Sequence, residues 1–249
     1  MKKKHEAGNA KERIVETATQ HFSEKGFIGS TMNEIAEAAE VNKALIYYYF
    51  PSKQTILDHI IEEFFHDVLS MGLSFAHDTM IAMIQNGSLD IMPDRMRFST
   101  SEDVKQFKEK IFAYYSNILA YLMDKRAVLR IILSEALRGG DQHNALFRFF
   151  VMASESNEEN PIFASISAAD PDFTYSKDVV FRKFFFTLMP MINFVVFHDD
   201  YKASSGMDDG EMMHAYLRSL DVQYASYFDG QDIMMDPSEH WSLTPRKLV

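Results

Sequence analysis

A short segment between Asn42 and Pro51 carries residue types that could recognise a nucleic acid. Placed on a helix at about 100° per residue, residues 43–50 separate into two faces. One face is apolar and predicts core: Leu45, Ile46, Tyr49 and Phe50. The opposite face offers a cation, a small residue and two phenol hydroxyls: Lys43, Ala44, Tyr47 and Tyr48. Such a surface suits a polyanion, and a helix of this size fits the major groove of DNA.

The polar face leaves several chemical roles open. The ammonium of Lys43 can reach guanine O6 and N7 or a phosphate, and the sequence does not choose between them. Tyr47 and Tyr48 could instead be half-buried core residues that keep one end wet. Because both lie outside the apolar face, we expect them at the surface.

Short helices are predicted on either side of this segment. A first helix over residues 10–25 follows from apolar residues at i, i+4 and i+8, which are Ile14, Ala18 and Phe22. Gly26 is placed to end it. The run from Thr31 to Glu34 is a capping box that begins a second helix. Asn42 is a favoured N-cap for the third helix, and Pro51 stops it.

The remaining chain is predicted to be helical as well, and we find no strand alternation. Helical periodicity covers residues 53–84, 104–123, 127–137, 145–153, 176–197 and 208–228. The predicted fold is therefore all-α. A three-helix, helix-turn-helix domain over residues 1–52 precedes a larger helical domain over residues 53–228, and residues 229–249 form a polar C-terminal tail.

Charge and composition limit the class of protein. Residues 1–60 hold eight Lys or Arg and eight Asp or Glu, so the net charge of −11 belongs to residues 61–249. DNA binding must then be local. The chain has no cysteine, which excludes disulfides and thiolate zinc sites. We find no signal peptide and no apolar run of the roughly 20 residues that span a bilayer, so we expect a soluble, cytoplasmic protein and no membrane.

Residues 13–57 resemble the N-terminal domain of the TetR family of bacterial transcriptional regulators. The spacing agrees without gaps at Arg13-Ile14-Val15, Ala18, Phe22, Gly26-Phe27, Ser30-Thr31, Ile35-Ala36, Val41, Ile46-Tyr47, Tyr49-Phe50, Ser52-Lys53 and Ile56-Leu57. The resemblance implies a homodimer on a palindromic double-stranded DNA operator. It also implies a repressor that a small-molecule effector releases.

The resemblance also implies DNA-binding residues by position. Asn42, Lys43 and Ala44 would lie nearest the base edges, Tyr47 and Tyr48 would contact phosphates, and Thr31 and Lys53 would approach the backbone from helix N-termini. Glu40 departs from the family, which usually has Gly in that turn. If Glu40 were left-handed, the conformation would cost roughly 1 kcal/mol or more.

The larger domain has the composition of a helical core with apolar surfaces left over. Residues 61–249 contain 18 of the 21 phenylalanines and 14 of the 16 methionines. Most must be core, and an apolar or aromatic effector would suit whatever cavity the rest form. Two helices are apolar on more than one side and predict the dimer interface: residues 176–197 and 208–228. An adaptor that binds a protein partner through this domain remains the alternative.

No residue pattern indicates catalysis, a cofactor or a metal. His59 and His66 flank Glu62 and Glu63, but histidines at i and i+7 lie about 10 Å apart along a helix, too far to share one ion unaided. We find no nucleophile elbow, phosphate loop or HExxH motif. The sequence therefore predicts a non-enzymatic protein without a metal or a cofactor.

Overall fold

The computed structural model describes residues 2–92, 96–139, 144–152, 160–173 and 177–228. The predicted polar tail, residues 229–249, lies outside the described residues. The N-terminal region consists of three helices: α1 (Lys2–Gly29), α2 (Met32–Ala38) and α3 (Lys43–Tyr49). The first helix begins earlier than predicted. Its regular winding is broken at Gly26 (φ 75°, ψ 161°), so the predicted end is where the helix kinks.

The helices of this region share one apolar core. Seven-residue helices such as α2 and α3 are too short to be stable in isolation, so they depend on packing. The buried side chains come from α1, α2, α3 and the residue after α3: Ile14, Ala18, Phe22, Ile35, Ala36, Ala39, Ile46 and Phe50. Burial therefore holds α2 and α3 on α1.

The larger domain begins with a long helix that continues through a π-helical segment. The elements are α4 (Lys53–Phe75), π1 (Ala76–Ile81) and α5 (Ala82–Gln85). Ser52 caps α4, because its hydroxyl oxygen accepts a hydrogen bond from the Thr55 N–H. Two more long helices follow a hairpin, α6 (Ser101–Asp124) and α7 (Arg126–Arg138).

The second half of the larger domain is built from shorter helices. They are α8 (Asn144–Met152), α9 (Pro161–Ala169), α10 (Lys177–Arg182), π2 (Lys183–Leu188), α11 (Met189–Val196), α12 (His198–Ser205) and α13 (Asp209–Phe228). Segments α10, π2 and α11 follow one another directly and correspond to the predicted helix over residues 176–197. Pro190 lies inside this continuous run and has no N–H to donate, and the carbonyl of Phe186, four residues earlier, instead accepts a hydrogen bond from Gln223 Nε2 at 2.7 Å.

The expectation of no strand was wrong at one place. Residues predicted to be irregular form an antiparallel hairpin of β1 (Leu89–Ile91) and β2 (Met96–Phe98), with Leu89 paired to Phe98. Leu89 and Ile91 are buried while Asp90 is exposed, which is the burial pattern of a strand. Three residues are too few for that alternation to be recognised in a sequence.

Two helices were not predicted from the sequence. The first is α9, where Pro161 occupies the first turn and its missing N–H costs nothing. The Asn160 side chain caps that helix by accepting a hydrogen bond from the Phe163 N–H at 3.1 Å. The second is α12, which begins after Phe197 and buries His198.

The apolar helices do not individually meet the requirements for a membrane span. Among the described residues, no single helix combines the length and apolarity needed to cross a bilayer. The pair Val180–Val196 and His198–Ser205 passes by length and composition only when taken together, with a bend of 75° between its halves.

A pair of matched isoleucine substitutions tests the N-terminal core. Ile46 on α3 is 0% exposed, whereas Ile28 at the end of α1 is 77% exposed. We expect Ile46→Ala to lower the free energy of unfolding by about 2–5 kcal/mol, since it leaves a cavity in the core. Ile28→Ala should change it by less than about 0.5 kcal/mol. Urea unfolding measures both, and equal effects would contradict the packing described.

Candidate nucleic-acid interface

The third helix separates its polar and apolar residues as the sequence predicted. Ile46 and Phe50 are buried, and Leu45 and Tyr49 are partly buried. Tyr47 is 43% exposed and Tyr48 is 78% exposed. The expectation that both tyrosines lie at the surface is therefore confirmed. Lys43 and Ala44 are also exposed.

The start of α3 is fixed by its cap. Asn42 has an extended backbone, and its Oδ1 accepts a hydrogen bond from the Leu45 N–H at 2.8 Å. This hydrogen bond uses only the amide oxygen of Asn42. The N–H groups of the same side chain can therefore donate to another partner. Asn42, Lys43 and Ala44 thus form the exposed N-terminal end of the helix.

An open depression of about 330 Å³ brings together four of the residues predicted to bind DNA. Thr31, Lys43, Tyr47 and Lys53 line it, together with Ser30, Met32 and Asn33. The depression therefore joins the start of α2, one side of α3 and the start of α4. Of the other predicted residues, Asn42 and Ala44 lie at the end of α3, and the Tyr48 ring packs edge-on against Tyr49 at 5.1 Å between centroids.

The Thr31 side chain is engaged in the capping box. Its N–H and its hydroxyl both donate to Glu34 Oε2, at 2.9 and 2.7 Å, and the Glu34 N–H donates back to Thr31 Oγ1 at 3.3 Å. The hydrogen bond from the Thr31 hydroxyl and then the one from the Thr31 N–H, with a smaller effect of the Lys25 ammonium, hold the pKa of Glu34 below its usual range. Thr31 can therefore donate its hydroxyl proton to a phosphate or another acceptor only by opening the cap.

Lys53 makes contacts that the sequence did not indicate. Its ammonium donates to the carbonyl oxygens of Phe27 at 2.6 Å and Ser30 at 2.8 Å, and it lies 4.4 Å from the centroid of the Phe27 ring. A lysine ammonium has three N–H donors, so one remains for a further acceptor. Lys53 thereby ties the start of α4 to the turn between α1 and α2.

The turn before α3 has the strained backbone that the sequence raised as a possibility. Glu40 adopts φ 54°, the left-handed conformation, at a cost of roughly 1–2 kcal/mol. The Val41 N–H closes the turn on the Ala36 carbonyl at 2.9 Å. Arg13 Nε donates to the Ala39 carbonyl at 3.1 Å and so anchors the turn to α1. The Glu40 side chain is exposed.

The carboxylates and imidazoles on α4 do not assemble into a metal site. His59 Nε2 lies 3.8 Å from Glu63 Oε2. Within the described parts of the chain, no group of three or more potential ligands could hold a metal ion.

Comparisons with known proteins find similarity to bacterial transcriptional regulators. Residues 14–60 match the family model of bacterial regulatory proteins, tetR family. The chain is 26% identical over 133 residues to YttP of Bacillus subtilis, which is named a probable HTH-type transcriptional regulator. It is 30% identical over 78 residues to IcaR of Staphylococcus aureus, named as the HTH-type negative transcriptional regulator of the biofilm operon icaADBC.

These alignments cover only part of each protein. They span 51% of this chain and 64% of YttP, and 30% of this chain and 42% of IcaR. Among solved structures, a protein from Mesorhizobium loti assigned to the TetR family of transcriptional regulators aligns with 89% of this chain and 98% of its own, at 18% identity and a TM-score of 0.45.

The capping box makes a prediction that a pH titration can check. In the native protein we expect the pKa of Glu34 to lie below the ordinary glutamate value of 4.5. Because the folded pKa is depressed, the stabilisation from this group is complete above about pH 4.5 and is lost as the pH falls through the folded pKa.

Variants of Thr31 isolate the cause of the shift. Thr31→Ala removes the hydroxyl donor, so the pKa of Glu34, followed by NMR, should rise toward its ordinary value. Thr31→Ser keeps the hydroxyl and serves as the matched control, with a Glu34 titration close to that of the native protein. An unchanged titration in Thr31→Ala would show that the hydroxyl is not the dominant partner.

Proposed function

Since residues 14–60 form the N-terminal domain of the TetR family of bacterial regulatory proteins, we propose that this chain is a DNA-binding transcriptional regulator. It acts by binding and not by catalysis. DNA binding belongs to residues 1–52, and effector sensing and dimerisation belong to residues 53–228. The protein works in the cytoplasm and represses transcription, the sense of control stated in the name of IcaR.

The observation that carries this proposal is the exposed face of α3 beside the depression. Lys43 extends a cation from the first residue of a capped helix, and Tyr47 presents its hydroxyl on the same wall. When α3 enters the major groove, Lys43 reaches base edges or an adjacent phosphate, and Tyr47 with the free donor of Lys53 meets the backbone. Asn42 and Ala44 approach the bases, while Thr31 and Tyr48 flank the backbone.

Charge keeps this interaction local. Residues 1–60 are neutral overall while the rest carries the net charge of −11, so most of the molecule repels DNA. Non-specific affinity is then low, and a productive encounter requires α3 to face the duplex. We expect binding to weaken as salt is added, because each phosphate contact releases a counterion.

Apolar surface on the larger domain supports a homodimer. Phe181, Phe185 and Phe186 are exposed on α10 and π2, and the rings of Phe181 and Phe185 lie 4.4 Å apart between centroids. Exposed aromatic groups of this kind mark an interaction surface. Two copies joined through these helices and α13 would present two α3 helices to one palindromic operator, with half-sites about 34 Å apart or a multiple of that distance.

A small, largely apolar effector completes the proposed mechanism. Its binding to the larger domain shifts α4, changes the separation of the two α3 helices and releases the operator. A coupling free energy of about 1–3 kcal/mol is enough. The same exposed phenylalanines also suit a protein partner, which is why an adaptor that keeps the helix-turn-helix is the second candidate.

Lysine substitutions test the DNA-binding role. We expect Lys43→Ala to weaken binding to DNA selected from a random pool by about 1–3 kcal/mol, because it removes a base or phosphate contact. Lys105→Ala removes the same charge from an exposed position on α6 and should leave the affinity unchanged. Titrations at a fixed, stated salt concentration measure both. Equal DNA affinities for the native protein and for Lys43→Ala would show that Lys43 does not contact the DNA.

A charged substitution tests the proposed dimer. Phe185 is exposed, so Phe185→Glu should leave the folded monomer intact while placing a carboxylate in the interface. We expect light scattering to give the mass of a monomer for Phe185→Glu and of a dimer for the native protein. Leu137→Glu, at an exposed apolar residue of α7, is the control and should remain dimeric. A dimeric Phe185→Glu would place the interface elsewhere, and a monomeric native protein would favour the adaptor.

A further inference from the structure

The N-terminal region rests on the larger domain mainly through α7. Among the described elements, α1 packs more extensively against α7 than against any other. The two helices come from different parts of the chain, and α7 lies wholly within the larger domain. The contact between them is therefore a joint between the two domains.

One end of this joint is the Gly26 kink. At φ 75° and ψ 161°, Gly26 lies in a backbone region that is essentially restricted to glycine. A Cβ atom there would also lie 2.8 Å from Arg138 Nη2 and 3.2 Å from Nη1. The guanidinium of Arg138, at the end of α7, thus sits directly on the backbone of the kink.

The guanidinium is held in place by its own helix. Arg138 Nη1 donates to Glu135 Oε1 at 3.2 Å, one turn earlier on α7. Glu135 is buried, so its carboxylate requires a partner, and Arg138 supplies a positive one. A planar guanidinium can cover Gly26 and pair with Glu135 at once, which the compact ammonium of a lysine does less well.

The residues after Gly26 form a rigid path to α2. The buried Ser30 donates its hydroxyl to the Gly26 carbonyl at 2.9 Å. The Lys53 ammonium donates hydrogen bonds to the carbonyl oxygens of Phe27 and Ser30. Thr31, the N-cap of α2, follows directly. A displacement of the end of α7 would therefore move the start of α2 and, with it, the depression beside α3.

We propose that Arg138, seated on Gly26, sets the orientation of the DNA-binding domain relative to the larger domain. This inference rests on the proposed function and adds a route for its regulation. Arg138 is a positioning residue, since its observed contacts are with Gly26 and Glu135 and not with the depression. A change in the larger domain that moves α7 would redirect α3 without any change in the residues that meet DNA.

The test compares affinities for operators that differ only in half-site spacing. The DNA is the fragment selected by the native protein, together with versions lengthened or shortened by one base pair at the centre. We expect Arg138→Ala to bind the selected fragment roughly 2-fold to 30-fold more weakly, the range for residues that couple sites. The ratio of its affinity for that fragment to its affinity for the spacing variants should also fall toward one, because a loosened contact between α7 and Gly26 no longer fixes the separation of the two α3 helices.

The control and the choice of readout separate positioning from folding. Lys105→Ala is the control: Lys105 pairs with Glu102 three residues earlier on its own helix, α6, as Arg138 pairs with Glu135 on α7, and it lies away from Gly26. It should keep the native spacing preference. Loss of folded protein lowers the active fraction without changing a ratio of affinities, and Arg138→Lys, which we expect to be intermediate, replaces Arg138→Ala if the latter is insoluble.

The outcomes distinguish the two proposals. A native protein that retains no DNA at low salt would overturn both the proposed function and the role of Arg138. Native binding with an Arg138 variant that keeps the full spacing preference would overturn the role of Arg138 alone. Native binding with a reduced spacing preference in the Arg138 variant, and not in Lys105→Ala, supports it.

Discussion

The burial of small apolar faces by short helices is the constraint on which the N-terminal region depends. Helices α2 and α3 have seven residues each, too few to persist without tertiary contacts. They are held because Ile14, Ile35 and Ile46 are completely buried in an apolar cluster that also includes Ile56 and Leu57 at the start of α4. The apolar face of α3 packs into this core, and its opposite, polar face is therefore exposed. Recognition chemistry is thus a consequence of packing.

Polar contacts then fix the angles at which the short helices leave their turns. Each is modest, since a typical hydrogen bond contributes about 0.5–1.5 kcal/mol net. Their value lies in geometry: the capping box orients the start of α2, Arg13 holds the carbonyl before the left-handed Glu40, and Lys53 fastens the turn after the Gly26 kink. The buried core provides most of the stability, and these hydrogen bonds fix the orientation of the short helices.

The two domains differ in the kind of surface they expose. The N-terminal region is electrically neutral and presents a few polar groups around one depression, whereas the larger domain is acidic and leaves aromatic side chains exposed. Such a division suits a protein that meets DNA at one end and another protein surface at the other. Arg138 lies between them, so the orientation of one domain depends on the packing of the other.

Local sequence signals determined the features that depend on neighbours along the chain. Apolar spacing, the caps at Thr31, Asn42 and Ser52, and the glycine at the kink were sufficient for the first helices and for the two faces of α3. Tertiary structure alone decided that Lys53 turns toward the α1–α2 turn, that Arg138 reaches Gly26, and that residues 89–91 pair with residues 96–98. Those contacts join residues distant in sequence or strands of three residues, and neither leaves a periodic pattern, because periodicity records only which side of a helix or strand is buried.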